Sequence, residues 1–483
     1  MRDTDSPIIL WFRQDLRLAD NPALAAAVKS GRPLLPIFIL DDATPGRWAI
    51  GGAGRWWLAG SLDALRTALA ERGARLVLRR GEASELLEEV IAETGAGAVY
   101  WNRCYEPAAI ARDRTIKSRL TGRGITVESF NAALLHEPWT IRTGQDQPFK
   151  VFTPFRRALL RMGVPAAPSR PPDRLTGFSG TVKSDDPKAW RLRPIAPDWA
   201  GEFAQQWKPG EAGACRRLDE FLDTSAGYGS LRDRPDRAGT SRLSPHLHWG
   251  EIGPRTVWHS VEARRLTGDL PEADATAFLR ELAWREFSHH LLFHWPDLPE
   301  QPWRPEFAAF AWRRDTALLA AWQQGRTGYP IVDAAMRELW RNGWIHNRLR
   351  MIVASFLIKH LLQPWQDGEA WFWDTLVDAD LAQNAASWQW VAGCGADAAP
   401  YFRIFNPVLQ GERFDPQGAY VRRWLPVLDR LPARFVHCPW RAPETTLAEA
   451  RLRLGTDYPL RIVDHETARG QALAAFEAMR AET

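Results

Sequence analysis

Cysteine is nearly absent from this chain. The four present, Cys104, Cys215, Cys394 and Cys438, are far apart and form no C-x-x-C pair, which argues against both a disulfide framework and a cysteine zinc site. No apolar run reaches the roughly 18 residues a membrane span requires. The opening MRDTDSPIILWF is too charged, and its apolar run too short, for a signal peptide. A cytoplasmic protein without a membrane partner is therefore expected. No G-x-G-x-x-G follows the first candidate strand, so the ordinary dinucleotide fingerprint is missing. No fixed period recurs, which argues against a solenoid. Histidines do not gather at ligand spacing, and no metal is expected. Net charge is also small, +4, so any nucleic-acid binding has to come from a local patch rather than the global balance.

What the chain has in excess is tryptophan, 25 against seven tyrosines. Arginine far outnumbers lysine, which suits bidentate contacts to phosphate or carboxylate. A length of 483 residues exceeds one comfortable core. The first 130 residues alternate short apolar runs with amphipathic segments. Candidate strands are Pro7–Phe12, Leu34–Leu40, Arg75–Leu78, Ala98–Trp101 and Thr126–Phe130. Leu58, Leu62, Leu65 and Leu69 recur at helical spacing and stop at Gly73, and Asn21-Pro22 reads as a cap followed by a first-turn proline. The expectation is a parallel, five-stranded, Rossmann-like α/β domain over residues 1–133. Prolines crowd Pro165–Pro197, so residues 134–200 read as an interdomain linker. From Gly201 to the end the pattern is helix after helix, which predicts an all-α domain over residues 201–483. Its helices are expected near Gly213–Thr224, Ala275–His294, Asp315–Gln324, Ile331–Asn342, Asn347–Leu362 and Gly368–Val377.

The stretch from Thr327 to Gln410 organises that second half. Asp378, Asp380, Asn384, Arg348 and Arg350 stand there among aliphatic helix faces and nine tryptophans or tyrosines. Polar groups in so apolar a frame are costly unless paired, so the stretch reads as the floor of a large, polar-edged ligand site. Upstream, Tyr228 and the run Gly239-Thr240-Ser241-Arg242-Leu243-Ser244-Pro245 precede a helix expected to open at Pro245 with Ser244 as its cap. That combination suits an anion, although an ordinary capped helix start explains it equally well. Glu281, Trp284 and Ser288 share a helix face; an exposed Glu beside a core Trp is the simpler account. Asp378 and Asp380 could serve acid–base chemistry, but Arg350 is available as a structural partner. Trp312, Trp365, Trp388 and Trp390 lie close by. A single Trp is usually packing, whereas a chain of rings can pass electrons.

Taken together, the motifs resemble the DNA photolyase/cryptochrome family, and specifically the bacterial cyclobutane pyrimidine dimer photolyases. They are LWFRQDLRLADNPAL, FKVFTPFRRAL, GTSRLSPHLHWGEI, FLRELAWREF, TGYPIVDAAMRELWRNGWIHNRLRM, WQDGE, DADLAQNAASWQW and YFRIFNPVLQGERFD, and they span nearly the whole chain. The resemblance implies an antenna-binding α/β domain, a helical domain holding FAD, and light-driven repair of a pyrimidine dimer in UV-damaged DNA by a monomer. By motif position, Tyr228, Thr240, Ser241, Arg242, Leu243 and Ser244 would hold the FAD phosphates, and Phe278 would lie against the flavin. Asp378, Ala379 and Asp380 would line the ribose and flavin edges, with Arg350 pairing Asp378. Asn384 would face the reactive flavin nitrogen. Trp388, Trp365 and Trp312 match an electron-transfer triad.

Glu281, Trp284, Asn347, Arg348, Met351 and Trp390 match a dimer pocket, with Glu281 catalytic, while Arg232 and Gln410 would meet DNA. The histidines that mark (6-4) photolyases in the IHNRLRM segment are missing, although His346 is one position away. For the antenna the resemblance favours 5,10-methenyltetrahydrofolate, with Trp101, Asn102, Tyr105 and Glu106 as contacts and a deazaflavin as the alternative. The competing readings are a cryptochrome-type signalling flavoprotein and a light-independent single-strand binder that stacks bases on its aromatic rings.

Overall fold

The computed structural model describes residues 6–398 and 402–482; Tyr401, the first residue of one quoted motif, lies outside them. By backbone contacts the chain forms two compact units. One comprises Met1–Ala226, Ser241–Pro296 and Val377–Ala382, the other Gly227–Thr240, Asp297–Leu376 and Gln383–Thr483.

The first unit is built on five parallel strands: β1 (Ile8–Phe12), β2 (Leu34–Leu40), β3 (Val77–Arg80), β4 (Ala98–Asn102) and β5 (Thr126–Phe130), in the order β3-β2-β1-β4-β5. The three central strands are buried along their full length, as continuous apolar runs covered on both faces require. The helices Ala83–Thr94 and Pro107–Gly122 close one face over Ile9, Ile37, Val90, Val99, Ile116 and Leu120. Asn21 caps the helix Pro22–Lys29 as expected, its side chain accepting from Leu24 N at 3.1 Å.

β3 begins two residues later than its apolar run suggests. The charged Arg79 belongs to the strand because it is buried there on Glu89 (2.5 Å) and Glu93 (3.2 Å). The proline-rich segment is not loose either. Leu34 N donates to Thr176 O (2.7 Å), Phe178 N to Leu34 O (2.8 Å) and Asp185 N to Leu78 O (2.7 Å), so this segment extends the sheet's edge. The main helices that follow are Glu211–Thr224, Ser244–His248, Pro254–Thr267 and Glu272–His294. The third has no counterpart in the sequence reading, since polar residues interrupt its apolar stripe.

Buried charge ties the unit together. Arg17 donates to the carbonyls of Ala19, Asp20, Ala132 and Gly250 at 2.7–3.0 Å. Glu251, fully buried, accepts from Trp57 Nε1 (3.1 Å), Gly210 N (2.6 Å), Ser61 Oγ and His246. Gly250 is required between these anchors, because its φ is +63° and a Cβ there would lie 2.1 Å from Gln14 O.

The second unit contains no strand among its described residues. Its principal helices are Thr316–Gln323, Pro330–Asn342, Asn347–Ser355, Trp365–Thr375, most of Leu381–Ala392, Pro407–Phe414, Ala419–Trp424 and His465–Glu482. The single helix expected over Asn347–Leu362 gives way after Ser355 to a π-helical turn, Phe356–His360. The wider turn accommodates two buried bases. Lys359 Nζ donates to Ala392 O at 2.6 Å, and His360 Nε2 lies 2.8 Å from His465 Nδ1.

Candidate functional site

The residues singled out in the sequence fall into both units. In the first, the segment 377–382 is pinned by Trp249 Nε1, which donates to Val377 O at 3.0 Å. Asp378, Ala379 and Asp380 follow, all buried. Asp380 Oδ2 lies 3.4 Å from His289 Nε2 and 3.9 Å from His248 Nδ1. Burial alone would raise the Asp380 carboxyl. His289, His248 and Arg285 more than reverse this and hold it below the usual carboxylate range. A small cavity opens here, with Asp380, His289 and Arg285 on one wall and Gln14, Tyr105 and Glu106 on another. The second wall follows β1 and β4, where the strand order reverses; the carboxyl ends of such strands are the usual ligand crevice of a parallel sheet.

Among the proposed antenna contacts, Tyr105 and Glu106 therefore line a cavity. Trp101 and Asn102 do not fit that role. Trp101 is buried edge-on against Trp11 at 5.7 Å. The Asn102 side chain is spent on Asp15 (2.6 Å), Asn21 (2.7 Å) and Ala23 N (3.2 Å).

Ser241, Arg242 and Ser244 are half-buried, and Leu243 is buried. The expected cap is corrected. The helix starts at Ser244 itself, with Leu243 in the cap position and no capping side chain, and runs for only five residues. Its dipole is short, so any anion there would depend on side-chain and loop donors. Phe278 packs on Phe221 at 4.7 Å. Glu281 is half-buried, 3.6 Å from Arg280 Nε. Trp284 was expected to stack on a substrate base, but one of its faces is already taken: Phe152 lies parallel to it, at 3.5 Å and 6°.

Next to these, Glu286 was missed by sequence reasoning. It accepts from Leu135 N at 2.9 Å, while its other oxygen is buried without a hydrogen bond, 3.6 Å from Arg285 Nη1. Burial pushes its carboxyl up to about 7, against the pull of Arg285 and the backbone N–H groups of Leu135 and His136. The native state thus keeps a proton that the unfolded chain has released above about 4.5. The resulting stability is complete below that value and is lost as pH rises through about 7. Glu286→Gln should flatten the dependence of Tm on pH across this window. At pH 8 it should exceed the parent by about 1–3 kcal/mol, as read by thermal unfolding of both proteins. Parallel Tm curves would refute this.

In the second unit, Asn384 Nδ2 donates to Glu369 O at 3.0 Å. A carbonyl oxygen only accepts, so the amide orientation is fixed and Oδ1 is left as the acceptor it can offer a ligand. Arg350 Nε donates to Ile345 O (3.0 Å). Tyr228 is buried, with Arg232 5.7 Å over its ring, and Thr240 is half-buried. Arg348 pairs with Asp233 at 3.0 Å and lies 4.4 Å over Phe414, so a phosphate would have to compete with a carboxylate for it. Asn347 is exposed on the first turn of its helix, and Met351 is half-buried with Sδ 3.7 Å from Arg348 Nη1. Gln410 is half-buried, and Trp390 donates to Asp397 O at 3.1 Å.

Trp388 and Trp365 are buried, and Trp312 is half-buried at 4.3 Å from Phe310. Trp388 packs edge-on against Phe372 (5.0 Å) and Trp322 (6.2 Å). Trp322 was not picked out in the sequence, where it is one apolar residue of a short helix. Among the described residues no three potential metal ligands come together, and no helix is long and apolar enough to cross a membrane.

Residues 278–478 match the family model for the FAD binding domain of DNA photolyase, and residues 8–173 match that for DNA photolyase. These matches, the sheet and the helical unit define a flavin-binding protein of the photolyase fold. A bacterial class III photolyase from Agrobacterium tumefaciens has a solved structure that aligns with a TM-score of 0.96 at 51% identity, covering 99% of this chain and 98% of that one. The deoxyribodipyrimidine photo-lyase of Agrobacterium fabrum is 51% identical over 479 residues, 99% of each chain. Cryptochrome-1 of Arabidopsis thaliana is 40% identical over 98% of this chain and 70% of its own. The chain belongs to the DNA photolyase family.

Proposed function

We propose that this chain is a deoxyribodipyrimidine photo-lyase, using FAD and light to reverse cyclobutane pyrimidine dimers in UV-damaged DNA. The observation that carries this reading is the 51% identity, across 99% of both chains, to a protein of that name. The likeness to a cryptochrome is weaker and spans only 70% of that protein.

The fixed Asn384 amide supports FAD as the cofactor, because an acceptor pointed at a flavin favours forms whose ring nitrogen carries a proton. Tyr228, Thr240 to Ser244 and Phe278 would hold the cofactor, together with Arg350 and Asp378 to Asp380. When bound, the flavin supplies the light-driven electron that opens the cyclobutane ring. The chain's own groups place and hold the substrate. Enzymes that work on a base, photolyases among them, must first take it out of the stack, at a cost of about a few kcal/mol that is lowest for damaged bases. Arg232, Arg348 and Gln410 would grip the flanking strand, with salt-dependent affinity. The remaining face of Trp284, with Trp390, Asn347 and Met351, would receive the dimer, and Glu281 would hydrogen-bond its carbonyl edge.

The α/β region would carry the antenna at Tyr105 and Glu106, with a methenyl folate preferred to a deazaflavin. Residues 134–200 would connect it to the working region of 201–483. A cytoplasmic monomer completes the reading.

The test is direct. Purified, reduced protein should remove dimers from irradiated DNA under blue light and not in the dark. Dimers that survive illumination would refute repair and favour the signalling reading. The absorption of chromophores released on denaturation would identify the antenna.

A further inference from the structure

Asp380 has a neighbour whose protonation the geometry dictates. His289 Nδ1 lies 3.0 Å from the carbonyl oxygen of Arg285, one turn earlier on the helix Glu272–His294. That oxygen can only accept, so Nδ1 carries a hydrogen. The opposite nitrogen, Nε2, lies 3.4 Å from Asp380 Oδ2. In a neutral ring protonated at Nδ1, Nε2 is a lone pair, and it would face a carboxylate oxygen across a dry contact. The contact is attractive only with a proton between the two atoms.

Two surrounding groups decide which partner keeps that proton. His248, from the helix Ser244–His248, presents Nδ1 to the same oxygen at 3.9 Å. Arg285 brings a permanent positive charge to the same cavity wall. Both favour the carboxylate, and by the same charge both disfavour a second proton on His289. Burial, with Arg285 and His248, pulls the imidazole below its ordinary value against Asp380 and the Arg285 carbonyl. The proton is assigned to His289 on geometry, because its two ring nitrogens face acceptor oxygens at 3.0 and 3.4 Å. The facing wall adds Cys104, whose thiol burial pushes up to about 11, along with Tyr105 and Glu106; the Glu106 carboxyl accepts from Gln14 Nε2 at 3.0 Å.

We propose that His289 is a positioning residue for Asp380: as an imidazolium braced by the Arg285 carbonyl, it fixes the orientation of that carboxylate and balances its charge where it meets the cofactor. The proposal rests on the reading above that Asp380 lines the flavin. It gives the single-turn spacing of Arg285 and His289 a purpose that packing does not require.

The protonation is tested on the intact holoprotein. Nitrogen-15 NMR of labelled histidine should show one ring with both nitrogens still protonated at about pH 8, after a free histidine has lost its charge, and this signal should vanish in His289→Gln. A ring protonated on one nitrogen only at pH 7 overturns the proposal. The coupling is tested by FAD titration of stripped protein. His289→Gln and Asp380→Asn should each weaken FAD binding about tenfold, and the double variant should lose no more than either single one, because residues acting as a unit are not additive. Multiplying losses overturn the positioning role. Unchanged FAD affinity in Asp380→Asn overturns the cofactor role of Asp380 instead, and the NMR result separates that failure from a wrongly assigned proton.

Discussion

Asp333→Ala is expected to lower the stability of the helical unit by about 3–5 kcal/mol, near the upper end for a single substitution. Asp333 is fully buried at the start of the helix Pro330–Asn342. It accepts four hydrogen bonds: from Thr327 N (2.7 Å), Thr327 Oγ1 (2.6 Å), Gly328 N (3.0 Å) and Tyr458 OH (2.7 Å). Alanine removes the acceptor and leaves two backbone N–H groups, the Thr327 hydroxyl and a phenol buried without it. Each such orphan costs about 1–3 kcal/mol, and partial collapse or a trapped water recovers some of the total. Asparagine keeps one acceptor oxygen and should lose less. Guanidinium unfolding would show the effect as a lower midpoint with an unchanged slope. A midpoint equal to that of the parent would mean the network contributes nothing.

This network also explains what was and was not legible in the sequence. The helix at Asp333 was readable from its apolar period, but the carboxylate's job was not, because Tyr458 lies 125 residues away. Glu338 meets the Tyr420 hydroxyl at 2.6 Å, 82 residues away in sequence. Gln389 donates to the carbonyls of Leu298 (2.6 Å) and Gln301 (2.8 Å) and accepts from Trp303 N (2.7 Å). The stretch Thr327–Gln410 was read as a site because polar groups there seemed to need a ligand. Many of them already have partners in the protein.

The opening motif carries the same lesson. Arg13, Asp15, Arg17, Asp20 and Asn21 read as a signature, yet all are buried in a network that braces the loop after β1. A motif can identify a family mainly through its scaffold. The sheet was legible because buried parallel strands are continuous apolar runs, and its one displaced strand ends in a paired arginine that hydrophobicity cannot anticipate. The orientation of Asn384 depends on a carbonyl 15 residues earlier, and the proton on His289 depends on Asp380 and His248 from two other segments as well as the Arg285 carbonyl of its own helix, so neither could be read from local pattern.

Trp388→Phe should abolish light-driven reduction of oxidised flavin in the purified protein while leaving dimer repair by chemically reduced protein intact. The ring is buried, and its Nε1 has no hydrogen-bond partner. It is held by packing alone, edge-on against Phe372 and close over Gly368, where a Cβ would lie 2.1 Å from the ring. Phenylalanine preserves the aromatic contact, removes an unsatisfied N–H and leaves a small cavity. The fold should therefore lose no more than about 1–2 kcal/mol, and a thermal scan checks that the variant is native. The functional loss would follow from the role proposed for Trp388, the ring that first refills the flavin, with Trp365 and Trp312 behind it. Flash photolysis with an external reductant measures this, and a parallel repair assay on prereduced protein separates photoreduction from catalysis. Photoreduction at the parent rate would remove Trp388 from the route. Slowed but persistent reduction that disappears only in Trp388→Phe/Trp322→Phe would instead assign a share of the current to Trp322, whose ring lies 6.2 Å from that of Trp388 and whose Nε1 is held by Val353 O at 3.0 Å.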